Sequence, residues 1–223
     1  MIKPRRLSVS PVRLSIMLSI LLTAGCATLP PPNLYVLSSP LAATTPAAAT
    51  AAATPASTPR LNRPLMVALG PITVPDYLDR TDIVRRATDN RMATEDGARW
   101  AEPLRSGLQR ALVADLAGRL GSGYWVTISG TRSADVDFEV PLDVETFEPD
   151  ATGRVVMIAS WEIRTVRDGA NVMRQVMRQR VNFEHAMAVP GVEAQVRAMS
   201  AAVADLGASI VANMTKSLPK SVR

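Results

Sequence analysis

Two apolar seams of helical period, separated by a block of strand-like alternation, leave few folds open to this chain. Leu104, Leu108, Leu112, Leu116 and Leu120 recur at every fourth residue, with Ala101 and Ala111 beside them. That spacing predicts an amphipathic helix from Trp100 to Leu120. Pro103 falls in its first turn, where a missing N–H costs little, and Gly121 and Gly123 end it. Past Pro190-Gly191, the residues Val192, Val196, Met199, Val203, Leu206, Ile210 and Met214 step by threes and fours. They predict a second helix, running to about Leu218, whose seam must cover something. Between the two, Ala134, Val136, Phe138, Val140, Leu142 and Val144 lie on one face. Ser133, Asp135, Asp137, Glu139, Asp143 and Glu145 lie on the other. Period two over this length is a half-buried strand or hairpin arm, with Pro141 marking an edge or a bulge.

Shorter signals fill in the sheet. Leu65-Met66-Val67-Ala68-Leu69 has the make-up of a buried strand, interrupted by Gly70-Pro71 before Ile72-Thr73-Val74. Asp82–Arg86 and Asn90–Thr94 form a hairpin around Thr88-Asp89. Tyr124–Ser129 is a further strand. Gly153–Val166 and Asn171–Phe183 are a strand pair joined at Asp168-Gly169, a hairpin turn signal. Strands, helix, strands, helix is the order of an α+β layer structure. We expect a sandwich-like domain over residues 64–223, with a mixed, mainly antiparallel sheet and two long amphipathic helices packed on one face.

The N-terminal residues 1–25 point to export. Lys3, Arg5, Arg6 and Arg13 precede an apolar run from Leu14 to Leu22, and Thr23-Ala24-Gly25-Cys26 follows. A basic start, a short apolar stretch and a small-residue site are the parts of a secretory signal. At about 9 residues the apolar run is well short of the roughly 20 that a spanning helix needs. Leu22-Thr23-Ala24-Gly25-Cys26 resembles the lipobox of bacterial lipoproteins, with Thr23 standing where leucine is favoured. The resemblance implies cleavage before Cys26 and an N-acyl diacylglycerol group on it, and two or more chains hold a protein stably on a bilayer. Ala27 follows the cysteine; by the sorting rule of such lipoproteins, the absence of aspartate there implies the periplasmic face of the outer membrane.

Cleavage also removes the apparent basicity. Four of the 25 basic residues and none of the 20 acidic ones precede Cys26, which leaves 21 against 20. A nucleic-acid partner is therefore not expected. Cys26 is the single cysteine, so an acylated chain has neither thiol nor disulfide. Residues 26–63 contain a possible edge strand, Asn33-Leu34-Tyr35-Val36-Leu37, and then a stretch of almost pure Ala, Thr, Ser and Pro. That composition, over residues 38–60, buries no core and predicts a disordered tether reaching a few tens of ångströms at roughly 5–6 Å × √n, within a lipidated N-terminal segment of residues 26–63 that precedes the domain.

No catalytic pattern stands out. His185 is the only histidine, and a triad or a histidine metal cluster needs further partners. It follows a strand and is most simply a polar residue near its end. Asp135, Asp137 and Glu139 alternate along a strand, about 6.8 Å between neighbours on one face, which suits a solvated acidic face better than an oxygen cage. Arg174, Arg178 and Arg180 share a strand face and are expected to pair with neighbouring acids or meet solvent. We expect neither enzyme activity nor a metal, nor any cofactor beyond the covalent lipid.

One set of segments is more specific. Val74-Pro75-Asp76-Tyr77-Leu78-Asp79-Arg80, Ile83-Val84-Arg85 and Trp100-Ala101-Glu102-Pro103-Leu104 resemble the PqiC (YmbA-like) family, the auxiliary lipoproteins of ABC-type intermembrane transporters. Tyr35-Val36-Leu37, Trp161 and the last helix also fit. The resemblance implies a non-enzymatic periplasmic subunit anchored in the outer membrane. It implies an MCE-domain transport protein as partner, assembly into homo-oligomeric rings, and a role in lipid trafficking and membrane integrity. Pro75, Tyr77, Leu78, Asp79 and Arg80 are the candidate partner-binding residues. By the residues alone, the same segment is a structural turn, since Pro75 fixes its own φ and biases Val74 to extended geometry. The rival functional reading is a periplasmic carrier holding phospholipid between sheet and helices.

Overall fold

A computed structural model describes residues 30–39, 64–130, 136–166 and 173–217. The signal segment, Cys26, the Ala/Thr/Pro stretch and the Asp168-Gly169 turn lie outside these residues. The folded unit begins at Pro32 and runs through β1 (Asn33–Tyr35), β2 (Leu65–Thr73), β3 (Asp82–Thr88), β4 (Arg91–Trp100), α1 (Leu104–Leu120), β5 (Tyr124–Ile128), β6 (Phe138–Pro149), β7 (Arg154–Val166), β8 (Met173–Ala186) and α2 (Val192–Ser217).

The α+β expectation holds, and the strands divide between two sheets. A five-stranded sheet has the order β5-β2-β6-β7-β8, and a three-stranded one has the order β1-β4-β3. In the large sheet β2 runs parallel to both β5 and β6, whereas β6, β7 and β8 form an antiparallel meander. Both helices pack on this sheet, α1 over β2 and β5 and α2 over β6 to β8, and they also pack on each other. The odd-numbered residues of β7 from Val155 to Ile163 face the helices, and each is fully buried. By length and composition α2 is apolar enough to cross a membrane. Its seam of Val196, Met199, Val203, Leu206, Ile210 and Met214 is buried in the core instead.

Several local expectations shift. The first helix begins at Leu104 rather than Trp100. Trp100 closes β4, its N–H bonded to Thr81 O at 2.7 Å, and Pro103, just ahead of the first turn, sets the boundary. Gly70-Pro71 does not end β2. The strand continues past a register shift between Leu69 and Ile72 against β6. A Cβ on Gly70 would lie 2.9 Å from Pro141 N, so the glycine lets the bulge close on a proline inside a central strand. Among the described residues the alternating block is a strand from Phe138 to Pro149, with a second shift between Val144 and Thr146 that ends the simple alternation. Asp150 then turns the chain, its Oδ1 accepting from Thr152 N, Thr152 Oγ1 and Arg154 N at 2.7–2.9 Å. Gly153 supplies the positive φ of 80°.

A larger correction concerns the boundary at residue 64. β1 pairs in parallel with β4, from Asn33 opposite Ala98 to Tyr35 opposite Trp100. Tyr35 and Leu37 point inward, and Leu37 is 1% exposed. Arg110 Nη2 donates to Leu37 O at 3.1 Å, Ser38 N donates to Ser200 Oγ at 3.2 Å, and Ser39 Oγ bonds Asp115 Oδ1 at 2.9 Å. The edge strand read at residues 33–37 is thus present as β1, and residues 33–39, bonded to both helices, belong to the folded module although they precede the boundary expected at residue 64.

Candidate functional site

The five candidate partner-binding residues sit together in one turn between β2 and β3. Pro75 O accepts from Leu78 N at 2.8 Å and from Asp79 N at 3.1 Å, and Leu78 O accepts from Arg80 N at 2.8 Å. Proline opens the turn because its fixed φ is already suited to it. Leu78 points inward and is fully buried in the core. The outward members are Tyr77, Asp79 and Arg80.

Each outward side chain has a structural partner. Asp79 Oδ1 accepts from Arg105 N at 3.2 Å and Oδ2 pairs with Arg105 Nη2 at 2.6 Å. Arg105 is the second residue of α1, whose N-terminus has no side-chain cap of its own. Asp79 therefore supplies a cap from 26 residues away, placing a carboxylate at the positive end of the helix. Arg80 pairs with Asp82, which Arg99 also approaches at 3.7 Å.

Tyr77 belongs to a more deeply set cluster. Glu148, at the end of β6, is 1% exposed. Its carboxylate accepts from Phe147 N at 2.9 Å, from Arg86 Nη2 at 2.5 Å, and from Tyr77 Oη at 3.2–3.3 Å. A buried carboxylate needs such compensation, because an unpaired one costs several kcal/mol. Arg86 also donates to Asp89 O at 2.9 Å, which closes the β3–β4 turn over the cluster. Burial, reinforced by the adjacent Glu148 charge, raises the Tyr77 phenol from 10.0 to about 12. The hydrogen bond to Glu148 likewise raises the Arg86 guanidinium. This arrangement ties the turn to the large sheet and leaves Tyr77 partly exposed at the surface. Beside it lies a groove of about 340 Å³ lined by Arg85, Glu95, Asp150, Met187 and Gln195 among others.

The other singled-out residues are placed as follows. His185 Nε2 lies 2.8 Å from Asp205 Oδ2, joining β8 to α2. Asp137 Oδ2 accepts from Met66 N at 2.7 Å, and Glu139 accepts from Ser129 Oγ at 2.9 Å. Asp135 lies outside the described residues, and among those described no group of three metal-ligating side chains converges. Arg178 and Arg180 face away from the helices. Arg180 grips Glu145 with two bonds of 2.7–2.8 Å, and Arg178 reaches Glu162 at 3.8 Å; the side chain of Arg174 is not among those described. Trp161 is buried at the centre of β7 with its indole N–H unpaired.

One polar constellation has no counterpart in the sequence reading. Asp115 lies in the leucine seam of α1 and is completely buried. Arg119 Nε donates to its Oδ2 at 2.6 Å, and Arg119 Nη2 donates to Ala204 O of α2 at 3.0 Å. The available signal is a charged pair at i and i+4 on an apolar face, opposite a glycine, Gly207, in mid-helix.

Comparison with known proteins places the folded module in a family. A family model described as the ABC-type transport auxiliary lipoprotein component matches residues 35–211. That match begins in β1 and ends in α2, so it covers the folded module. The intermembrane transport lipoprotein PqiC of Escherichia coli (strain K12) is 26% identical over 148 residues, 66% of this chain and 73% of that protein. PqiC of Shigella flexneri matches equally. Two crystal structures share the fold. One, of an uncharacterized protein, has a TM-score of 0.61 at 21% identity and spans 83% of this chain and 99% of its own. The other, of a Xanthomonas campestris protein, has a TM-score of 0.55 at 18% identity and spans 85% and 96%.

Proposed function

The chain belongs to the family of ABC-type transport auxiliary lipoprotein components, and on that premise we propose that it is the lipid-anchored periplasmic subunit of an intermembrane lipid transport system. In this reading Cys26 carries the N-acyl diacylglycerol group that holds the module on the periplasmic face of the outer membrane. The module docks an MCE-domain transport protein, and copies of it assemble into a ring. Its contribution to lipid trafficking and envelope integrity is made by surfaces and not by bond-breaking.

The observation that carries the proposal is the family match over the whole folded module, downstream of a lipobox-like Leu22–Cys26 segment. The outward part of the 75–80 turn is the proposed docking element. Tyr77, Asp79 and Arg80 are held in fixed positions by Glu148, Arg105 and Asp82, and a preorganised surface loses less entropy on association. The carrier reading is less well supported. Leu108, Leu112, Leu116, Trp161, Val203, Leu206 and Ile210 are each 0% exposed, so side chains fill the sheet–helix layer where an acyl chain would have to lie.

Mass spectrometry of the purified full-length protein tests the anchor. An acylated N-terminal peptide starting at Cys26 is expected, with Cys26→Ser leaving the membrane fraction; an intact leader would refute it. Affinity purification from crosslinked cells tests the partner. An MCE-domain protein should be recovered with the parent and lost with Tyr77→Ala/Arg80→Ala. Recovery of phospholipid at one to one without a protein partner would favour the carrier.

A further inference from the structure

The order of the N-terminal segments along the chain limits where the module can stand. The Ala/Thr/Pro stretch occupies positions 40–63. Its upstream flank, residues 33–39, is bonded into the module through β1, Leu37, Ser38 and Ser39. Its downstream flank opens β2, the second strand of the large sheet. Both ends of the stretch are therefore fixed in one folded body. Only the seven residue steps from Cys26 to Asn33 lie between the acylation site and the first strand.

We propose that the 40–63 stretch is an insertion in the module and not a membrane spacer, and that the outward face of residues 34–36, carrying Leu34 on β1 and Val36 just past it, faces the bilayer. This inference rests on acylation of Cys26. Seven steps span at most about 25 Å fully extended. A flexible chain from Cys26 to position 64 would have an r.m.s. reach of about 35 Å, against about 15 Å for a flexible link of seven steps. The link is Ala27-Thr28-Leu29-Pro30-Pro31-Pro32, and its prolines extend it to about 3.1 Å per residue, still within the fully extended limit of about 25 Å. Along residues 34–37 inward and outward side chains alternate. Tyr35 and Leu37 pack into the core, while Leu34 is 66% and Val36 49% exposed. Two large apolar side chains thus point outward at β1 and its end, the part of the module nearest the anchor. The occupant that the link brings within reach of them is the lipid interface, where partial burial of apolar groups is favourable.

Depth-dependent quenching tests this in the full-length acylated protein, reconstituted in phosphatidylethanolamine/phosphatidylglycerol vesicles. Because Cys26 is the single cysteine and acylation consumes its thiol, Val36→Cys provides one labelling site for bimane. Spin-labelled lipid should quench that label. Placing a second copy of the 24 residues 40–63 directly after the first should leave quenching unchanged, since lengthening a closed loop costs little. Placing the same 24 residues after Ala27 should reduce quenching at least two-fold. Three results would overturn the inference: an unquenched label in the parent, a loss of quenching with the in-place copy, or no loss with the copy after Ala27. Mass spectrometry of the same sample separates these from failure of the anchor, which would appear as an unacylated Cys26.

Discussion

Gly207 of α2 occupies the space that the Asp115 carboxylate of α1 requires: a Cβ built on Gly207 would lie 1.9 Å from Asp115 Oδ2 and 3.0 Å from its Cγ. The two helices cross closely there because one contributes no side chain and the other a carboxylate already bound by Arg119 and Ser39. In isolation, glycine in mid-helix costs about 1 kcal/mol relative to alanine. Here the lost propensity is offset by a buried, fully bonded polar junction.

Gly207→Ala should therefore destabilise the module by about 1–3 kcal/mol, the usual cost of overpacking, despite its better helix propensity. In an Asp115→Ala background the same change should become neutral or stabilising, by up to about 1 kcal/mol. Urea denaturation of the four proteins in the cycle measures the coupling. Equal effects of Gly207→Ala in both backgrounds would show that the two positions do not meet.

Leu37→Ala should cost about 2–5 kcal/mol, the range for a buried leucine. A residue in a solvated tether would be neutral when so changed. Thermal unfolding of the leaderless soluble module distinguishes the two outcomes.

Asp79→Ala should cost about 1 kcal/mol by uncapping α1, whereas Asp79→Asn, which keeps an acceptor, should cost less. Hydrogen exchange at Arg105 and neighbouring amides of the first turn localises the effect. Fraying elsewhere without a change in that turn would contradict the cap.

The Tyr77 phenol should titrate at about 12, as the difference between parent and Tyr77→Phe in absorbance at high pH, and should fall toward 10.0 in Glu148→Gln. Desolvation, the larger cause, survives that substitution, so the fall should be incomplete. Since the folded state holds this proton more tightly than the unfolded one, the associated stability is complete below pH 10 and is lost as pH rises from 10 toward 12. At the acid end the sign reverses. Burial of Asp150 raises its pKa, but the hydrogen bonds from Arg154 and Thr152 outweigh it, and Arg180 holds Glu145 down. Both carboxylates are held below their ordinary values, so their stabilisation is present above pH 4–5 and is lost as pH falls below it.

The elements with a strong local period were legible before the fold was known. Both helical seams and the β6 alternation follow from which side chains share a face, and a period of 3.6 or 2 is visible within ten residues; the 82–94 hairpin is marked by its turn at Thr88-Asp89. The Val74–Arg80 segment was legible as a compact, specific string. That its turn caps α1 through Asp79 and anchors on Glu148 through Tyr77 was not, because each contact joins positions 26 and 71 residues apart.

By itself, the sequence determined the local conformations, the α+β class and the family, since these depend on propensity, periodicity and short motifs carried by neighbouring residues. Only the tertiary structure decided that the strands separate into two sheets, that Asp115 and Gly207 meet, and that residues 33–39 belong to the module although they precede residue 64. Those outcomes depend on pairing between segments tens to more than a hundred residues apart, where backbone hydrogen bonds and burial must be satisfied jointly. A three-residue strand such as β1 carries no period long enough to announce them.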